Sequence, residues 1–183
     1  MELKYRPEID GLRAIAVVAV LVYHSEIYIG KQQFLAGGFL GVDIFFVISG
    51  FLITSIIMSE FERSRKFSLI NFYERRIRRL LPALLTVILV SLPFAWQLML
   101  PAQLVDFSKS ILSTLAFGSN FYWYATLQEY GAESALLKPF LHTWTLAVEE
   151  QFYIFYPVIL LVIYKWYRKH AIVLLMTGLL LSL

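Results

Sequence analysis

The chain has 183 residues, with 16 basic and 13 acidic side chains, no cysteine and a mean hydropathy of +0.68. Only 16% of the residues are charged, whereas a typical soluble domain has about 25%. This composition excludes intrinsic disorder, and the lack of cysteine excludes a disulfide scaffold, a zinc-thiolate site and cysteine catalysis. Nucleic acid is not an expected partner, because seven of the sixteen basic residues lie within 63–79, between long apolar segments, as in a membrane protein.

Four segments have the roughly 20 apolar residues that a helix needs to cross a bilayer. They are 11–29, 37–58, 80–100 and 143–164. A fifth apolar segment, 171–183, has only 13 residues, so we expect residues 1–183 to be the N-terminal part of a longer membrane domain. The predicted fold class is all-α, a polytopic transmembrane helical bundle with about four complete spans and one truncated span.

The basic residues also predict the orientation of the chain. Because Lys and Arg concentrate on the cytoplasmic side, we expect 63–79 to be a cytoplasmic loop and the N-terminus to be cytoplasmic. Segment 104–124 is apolar overall but contains charged residues, and it either crosses the membrane or lies on its outer face. We favour the second arrangement, because it places the basic residues Lys165, Arg168 and Lys169 on the cytoplasmic side of the membrane.

The first span carries two polar side chains, Arg13 and His24, on one helical face. Eleven residues advance a helix by about 16 Å and leave the two side chains only about 20° apart. Histidine titrates near neutral pH, so the pair could line a reaction cavity with a fixed cation and a base. The alternative is an interfacial histidine bonded to a neighbouring helix and an arginine that reaches the headgroups. Both interpretations stay open.

The second span begins with three glycines that allow close approach of a neighbouring helix: Gly37, Gly38 and Gly41. Asp43 follows, and it either pairs with a cation or lies at headgroup level as a carboxylate at a helix start. Ser49 and Gly50 are interpreted as a packing notch that can also kink the helix.

The basic segment ends with four arginines in five residues, Arg75, Arg76, Arg78 and Arg79. Such a cluster beside a membrane serves topology and contact with anionic lipids, or it binds the phosphates of a cytoplasmic ligand through paired guanidinium contacts.

The last polar group lies in the apolar segment 142–153. His142, Thr145 and Glu149 have helical spacing and share one face, whereas Glu150 points about 100° away. Two adjacent carboxylates in an apolar helix can hold a cation, orient a base or accept hydrogen bonds from a polyol, or they lie at the water boundary. The three histidines lack ligand spacing, so no metal site is predicted.

These segments together resemble the acyltransferase 3 family, whose integral membrane enzymes O-acylate carbohydrates. The resemblance rests on four motifs in register: 5–14 with His24, 41–51, the Arg-Arg-x-Arg-Arg-Leu-Leu-Pro run, and 142–153. It covers essentially the whole sequence and about half of the family's membrane domain, which is a ten-helix bundle. Segment 142–153 is most similar to members that acylate lipopolysaccharide O-antigen or peptidoglycan, many of which carry a C-terminal SGNH-type domain.

The resemblance implies a multi-pass protein of the bacterial inner membrane, in contact with membrane lipids. It implies acetyl-CoA as the cytoplasmic acyl donor and co-substrate, and a hydroxyl of a cell-envelope glycan as the acceptor. His24 matches the family's essential first-helix histidine, the proposed base or acyl relay, and Arg13 matches its paired arginine.

The resemblance also assigns roles to the later motifs. Arg76 and Arg79 match the arginine pair proposed to contact the CoA phosphates, and we treat Arg75 and Arg13 as further candidates for acyl-CoA binding. Glu149 and Glu150 match a motif of open role and are treated as candidate catalytic residues. The alternative function is a transporter or flippase subunit in which Arg13, His24 and Glu149 form a polar path.

Overall fold

The computed structural model describes residues 6–64, 67–128, 137–166 and 173, and it confirms the all-α fold class. Within this part of the chain, three helical segments are long and apolar enough to cross a membrane: Gly38–Ser64, Leu69–Leu98 and Thr143–Lys165. These correspond to three of the four predicted spans. The chain divides into two compact units, Met1–Phe67 and Ser68–Leu183.

The first unit begins with helix α1, Pro7–His24. A short antiparallel hairpin follows, formed by β1 (Tyr28–Ile29) and β2 (Gln32–Gln33). A 3₁₀ turn at Gly38–Leu40 then leads into helix α2, Gly41–Ser64.

The predicted first span, 11–29, is wrong at its C-terminal end. The helix ends at His24, where the Ser25 hydroxyl donates to the Leu21 carbonyl, and Glu26 takes a left-handed φ of 48° that a helix cannot continue. The last residues of the predicted span lie in the hairpin instead. Helix α1 also carries Glu8, Asp10 and Arg13, and it is not among the three helical segments apolar enough to cross a membrane.

The predicted close approach at the glycines is confirmed at two of the three positions. A Cβ added to Gly38 would collide with the Ala19 carbonyl of α1, and one added to Gly41 would lie 2.5 Å from the Ala16 carbonyl oxygen. A Cβ on Gly37 would meet nothing within 4 Å. Backbone therefore packs on backbone along this side of α1, which only glycine permits.

The second unit contains helices α3 (Leu69–Leu98), α4 (Pro101–Leu115), α5 (Ser119–Thr126) and α6 (Thr143–Trp166). The predicted loop at 63–79 is wrong in its second half, because its four arginines lie in the first three turns of α3. Ser68 caps this helix by accepting a hydrogen bond of 3.3 Å from the Asn71 amide. Arginine and glutamate are good helix formers, so the helix extends through the basic segment.

Segment 104–124 is divided between two short helices. Helix α4 ends before Phe117, which takes a φ of 51°, and α5 follows after Gly118. The 15 residues of α4 measure about 22 Å, which is shorter than the roughly 30 Å of a bilayer core. Neither helix of this segment is among the candidate membrane spans, and its location on the outer face stays a prediction.

Buried hydroxyl groups join α4, α5 and the start of α6. The Thr114 and Thr143 hydroxyls lie 2.9 Å apart, and Ser119 donates to the Thr143 carbonyl at 2.8 Å. Trp123 donates its indole N–H to the Phe140 carbonyl at 3.1 Å. These buried contacts join the start of α6 to α4 and α5 and leave each of the polar groups hydrogen-bonded.

Several predictions lie outside the described residues. These are the truncated span at 171–183, apart from Val173, and the basic residues Arg65, Lys66, Arg168 and Lys169.

Candidate functional site

The first unit holds His24 and Arg13. Both belong to the continuous helix α1, so the shared face and the axial separation of about 16 Å predicted from their spacing apply. His24 is the last residue of the helix and is exposed, whereas Arg13 is half-buried. The histidine is thus accessible to a ligand at the end of α1, and the arginine lies three turns away on the same side.

Neighbouring groups restrain the end of α1. The Gln33 amide donates to the Tyr23 carbonyl at 2.7 Å, so the hairpin is tied to the last turn of the helix. The Tyr23 ring packs edge-on against the His24 imidazole at 5.2 Å and against Phe39 at 5.7 Å. These contacts restrain the end of α1, where the His24 side chain is still exposed to solvent.

The polar residues singled out in α2 lie in its first turn and near its middle. Asp43 is exposed in the first turn of α2, and it forms no ion pair with another described residue. The helix is continuous through Ser49 and Gly50, and the Gly50 carbonyl accepts the Thr54 hydroxyl at 2.7 Å.

In the second unit the arginine cluster has two parts. Arg75, Arg78 and Arg79 are exposed, and Arg78 pairs with Glu74 at 2.7 Å on the same helix. Arg79 forms no ion pair with any residue in the described ranges. Arg76 points instead toward α6. The cluster therefore offers one inward and three outward guanidinium groups.

Arg76 is held between two side chains of α6. Its guanidinium lies 3.6 Å from a Glu150 carboxylate oxygen, and its central carbon lies 3.4 Å from the centroid of the Tyr153 ring. Glu150 is buried, with 9% of its surface exposed, and the Arg76 side chain is 27% exposed. Arg76 is the cation that faces this buried carboxyl group.

A cavity of about 710 Å³ lies beside this ion pair. Arg76, Glu150 and Tyr73 form its polar part. The remaining wall is apolar, with residues from α3 and α6 that include Leu80, Leu81, Ile154, Phe155, Val158 and Ile159. The cavity can accept a molecule that has a polar group and an apolar portion.

The other carboxylate of the pair has different surroundings. Glu149 accepts a hydrogen bond from the Tyr153 hydroxyl and is not among the described residues that line the cavity. His142 is exposed, precedes the first residue of α6 and stacks on Phe140 at 6.4 Å. Helix α6 begins at Thr143, so His142 lies before it. The predicted helical alignment of His142 with Thr145 and Glu149 is therefore wrong for His142.

Three residues of this site were not singled out from the sequence. Tyr153 contacts both Arg76 and Glu149, and Tyr73 donates to the Ile154 carbonyl at 2.8 Å, which ties α3 to α6. Gln151 donates to the Phe117 carbonyl at 2.7 Å and to the Asn120 side chain at 2.9 Å, which fixes the break between α4 and α5. Tyr153 lies in the same motif as the two glutamates, and this was the signal that could have found it.

The two units thus hold separate groups of predicted residues. The first contains His24, Arg13 and Asp43, and the second brings Arg76 together with Glu150. Among the described residues, no cluster of three histidine, aspartate or glutamate side chains could hold a metal ion.

Comparison with known proteins matches this chain to acyltransferases. A family model described as an acyltransferase domain matches residues 6–183. O-acetyltransferase OatA of Staphylococcus aureus strain NCTC 8325 is 39% identical over 170 residues, which cover 93% of this chain and 27% of OatA. The putative O-acetyltransferases SAS0844 of strain MSSA476 and SAR0937 of strain MRSA252 are 40% identical over 168 residues, or 92% of this chain and 27% of each relative.

The chain therefore spans about a quarter of the length of these curated relatives. No solved structure matches it.

Proposed function

Because the chain belongs to the acyltransferase 3 family, we propose that it is part of a membrane O-acetyltransferase. The enzyme transfers an acetyl group from cytoplasmic acetyl-CoA to a hydroxyl of a cell-envelope carbohydrate on the outer side of the bacterial inner membrane. Peptidoglycan and lipopolysaccharide O-antigen are the acceptors we propose.

The observation that carries this proposal is the arginine cluster at the start of α3, with Arg76 at the polar end of an apolar cavity. CoA is a polyanion, and guanidinium groups bind phosphate oxygens in pairs. Arg75 and Arg79 are exposed beside Arg76, so a phosphate-bearing ligand can contact them while its less polar part enters the cavity.

His24 supplies the chemistry in this proposal. Its exposed imidazole at the end of α1 takes the proton of the acceptor hydroxyl as the ester C–O bond forms and the thioester C–S bond breaks. The thiolate of CoA then takes up a proton. A base matched to neutral pH contributes about 10²–10⁴-fold in rate.

The test uses membranes that contain the natural-length protein and receive radiolabelled acetyl-CoA on the cytoplasmic side. We compare the label that reaches envelope glycan for the unmodified protein and for the His24→Ala variant. Label in the first and a loss of about 10²-fold or more in the second is the expected result.

Two other results have distinct meanings. Equal labelling by both proteins would support the transferase activity but contradict the role of His24 as its base. If well-expressed unmodified protein gave no label and no CoA release, the acetyl-CoA proposal would be wrong, and transport along a polar path would be the function to test next.

A further inference from the structure

We propose that Tyr153 is a positioning residue for Arg76, and that Glu149 acts through Tyr153 rather than as a catalytic base. This inference rests on the proposed function, since it assigns Arg76 to acetyl-CoA binding. It separates the roles of two adjacent carboxylates that the sequence presents as a pair.

The first step of the argument is the geometry around Arg76. The Tyr153 ring covers one face of the guanidinium, with 3.4 Å between the central carbon and the ring centroid, and Glu150 lies at one edge, 3.6 Å away. An arginine has five N–H donors, more than one carboxylate oxygen can satisfy. The ring and the carboxylate thus fix the direction of the group and leave donors for a ligand in the cavity.

The second step concerns what fixes Tyr153 itself. Tyr153 is buried, with 3% of its surface exposed, and its hydroxyl donates to Glu149 one helical turn earlier in α6. This bond sets the orientation of the ring that covers Arg76. Glu149 thus contacts Tyr153, and Tyr153 contacts Arg76; all three residues belong to the second unit.

The third step is the difference between the two glutamates. Glu150 lines the cavity and pairs directly with Arg76, whereas Glu149 is not one of the described residues along the cavity wall. A base must come within hydrogen-bond reach of the proton it removes. Glu149 is engaged with Tyr153 instead, which suits a positioning role.

The kinetic test measures kcat and the KM for acetyl-CoA with natural-length protein in membranes. Tyr153→Leu removes the ring and should raise KM about 3- to 30-fold, the range of a cation–π contact. In the Arg76→Ala background the same change should raise KM no further, because residues that act through one contact are not additive. Tyr124→Leu is the matched control, since Tyr124 is 72% exposed on α5 and lies outside the site.

Conservative variants separate positioning from base catalysis. Tyr153→Phe keeps the ring and should therefore raise the KM for acetyl-CoA much less than Tyr153→Leu does. Glu149→Gln keeps an amide oxygen that accepts from the Tyr153 hydroxyl, so it should raise KM no more than Tyr153→Phe does and leave kcat within about threefold, whereas loss of a general base costs about 10²–10⁴-fold in kcat. A 100-fold fall in kcat in Glu149→Gln, or an equal effect of Tyr153→Leu with and without Arg76, would overturn the proposal.

A second measurement does not depend on acetyl transfer. The purified protein is unfolded by heat in detergent, and Tm is compared for Arg76→Ala, Tyr153→Leu and the double variant. A loss in the double variant smaller than the sum of the two single losses is expected, and additive losses would overturn the contact. An enzyme that is inactive but shows this coupling would refute the proposed function and keep the Tyr153–Arg76 contact.

Discussion

Replacement of Gly38 or Gly41 by alanine should destabilise the first unit, because it inserts a methyl group between two backbones. At Gly41 the new Cβ would lie 2.5 Å from the Ala16 carbonyl oxygen and 2.8 Å from a methyl carbon of Val20. An ordinary contact between carbon and a carbonyl oxygen is about 3.3–3.6 Å, so the helices must separate by roughly 0.8 Å or more. Overpacking of this kind costs about 1–3 kcal/mol.

Thermal unfolding of the purified protein in detergent measures this effect, with Gly37→Ala as the control. Gly37 lies next to Gly38, but its Cβ would meet nothing within 4 Å. For a chain of this size, each kcal/mol corresponds to about 2–4 °C in Tm. We expect Gly38→Ala and Gly41→Ala to unfold at a lower temperature than Gly37→Ala. If all three variants unfold together, the backbone contact between α1 and α2 is not as described.

Three further substitutions test the second unit. Arg79→Ala should raise the KM for acetyl-CoA roughly tenfold or more, because it removes a charged hydrogen-bond donor. Tm should stay unchanged, because the exposed guanidinium forms no ion pair with other described residues. An unchanged KM would show that Arg79 does not bind acetyl-CoA. Thr143→Val should lower the free energy of unfolding by about 1–3 kcal/mol, because it removes a buried hydroxyl. The control is Thr86→Val, since the exposed Thr86 hydroxyl bonds only within its own helix. Equal losses in the two variants would contradict a structural role for the buried hydroxyls. Glu150→Leu should lower the free energy of unfolding by about 2–4 kcal/mol, and Glu74→Leu by at most about 1 kcal/mol. Only the first change leaves a half-buried arginine without its carboxylate. Similar shifts in Tm for the two variants would contradict this reasoning.

The sequence was sufficient for the helical class and for most of the spans, because apolar segments of about 20 residues leave little choice of structure. It also predicted the close contact at Gly38 and Gly41, since small residues on an apolar helix serve helix packing. The end of α1 was placed five residues too late, because Tyr28 and Ile29 are apolar and a hairpin of two-residue strands has no periodicity to detect.

The candidate site was predicted only in its components. The four arginines and the two glutamates were recognised, but their partners depend on how α3 and α6 are rotated about their axes. That rotation is fixed by packing and by contacts such as the hydrogen bond from Tyr73 to the Ile154 carbonyl. Tyr153 was missed because an aromatic residue in an apolar helix is ordinarily part of the core, and only the position of Arg76 gives it another role.

The most direct test of the central claim is the sidedness of acetyl-CoA use. Sealed membrane vesicles containing the natural-length protein are prepared in both orientations, and radiolabelled acetyl-CoA, which does not cross the membrane, is added outside. Labelled glycan should form in inverted vesicles, where the cytoplasmic face is outside, and be absent from right-side-out vesicles until they are opened. Labelling of glycan by intact right-side-out vesicles alone would contradict a cytoplasmic acetyl-CoA site.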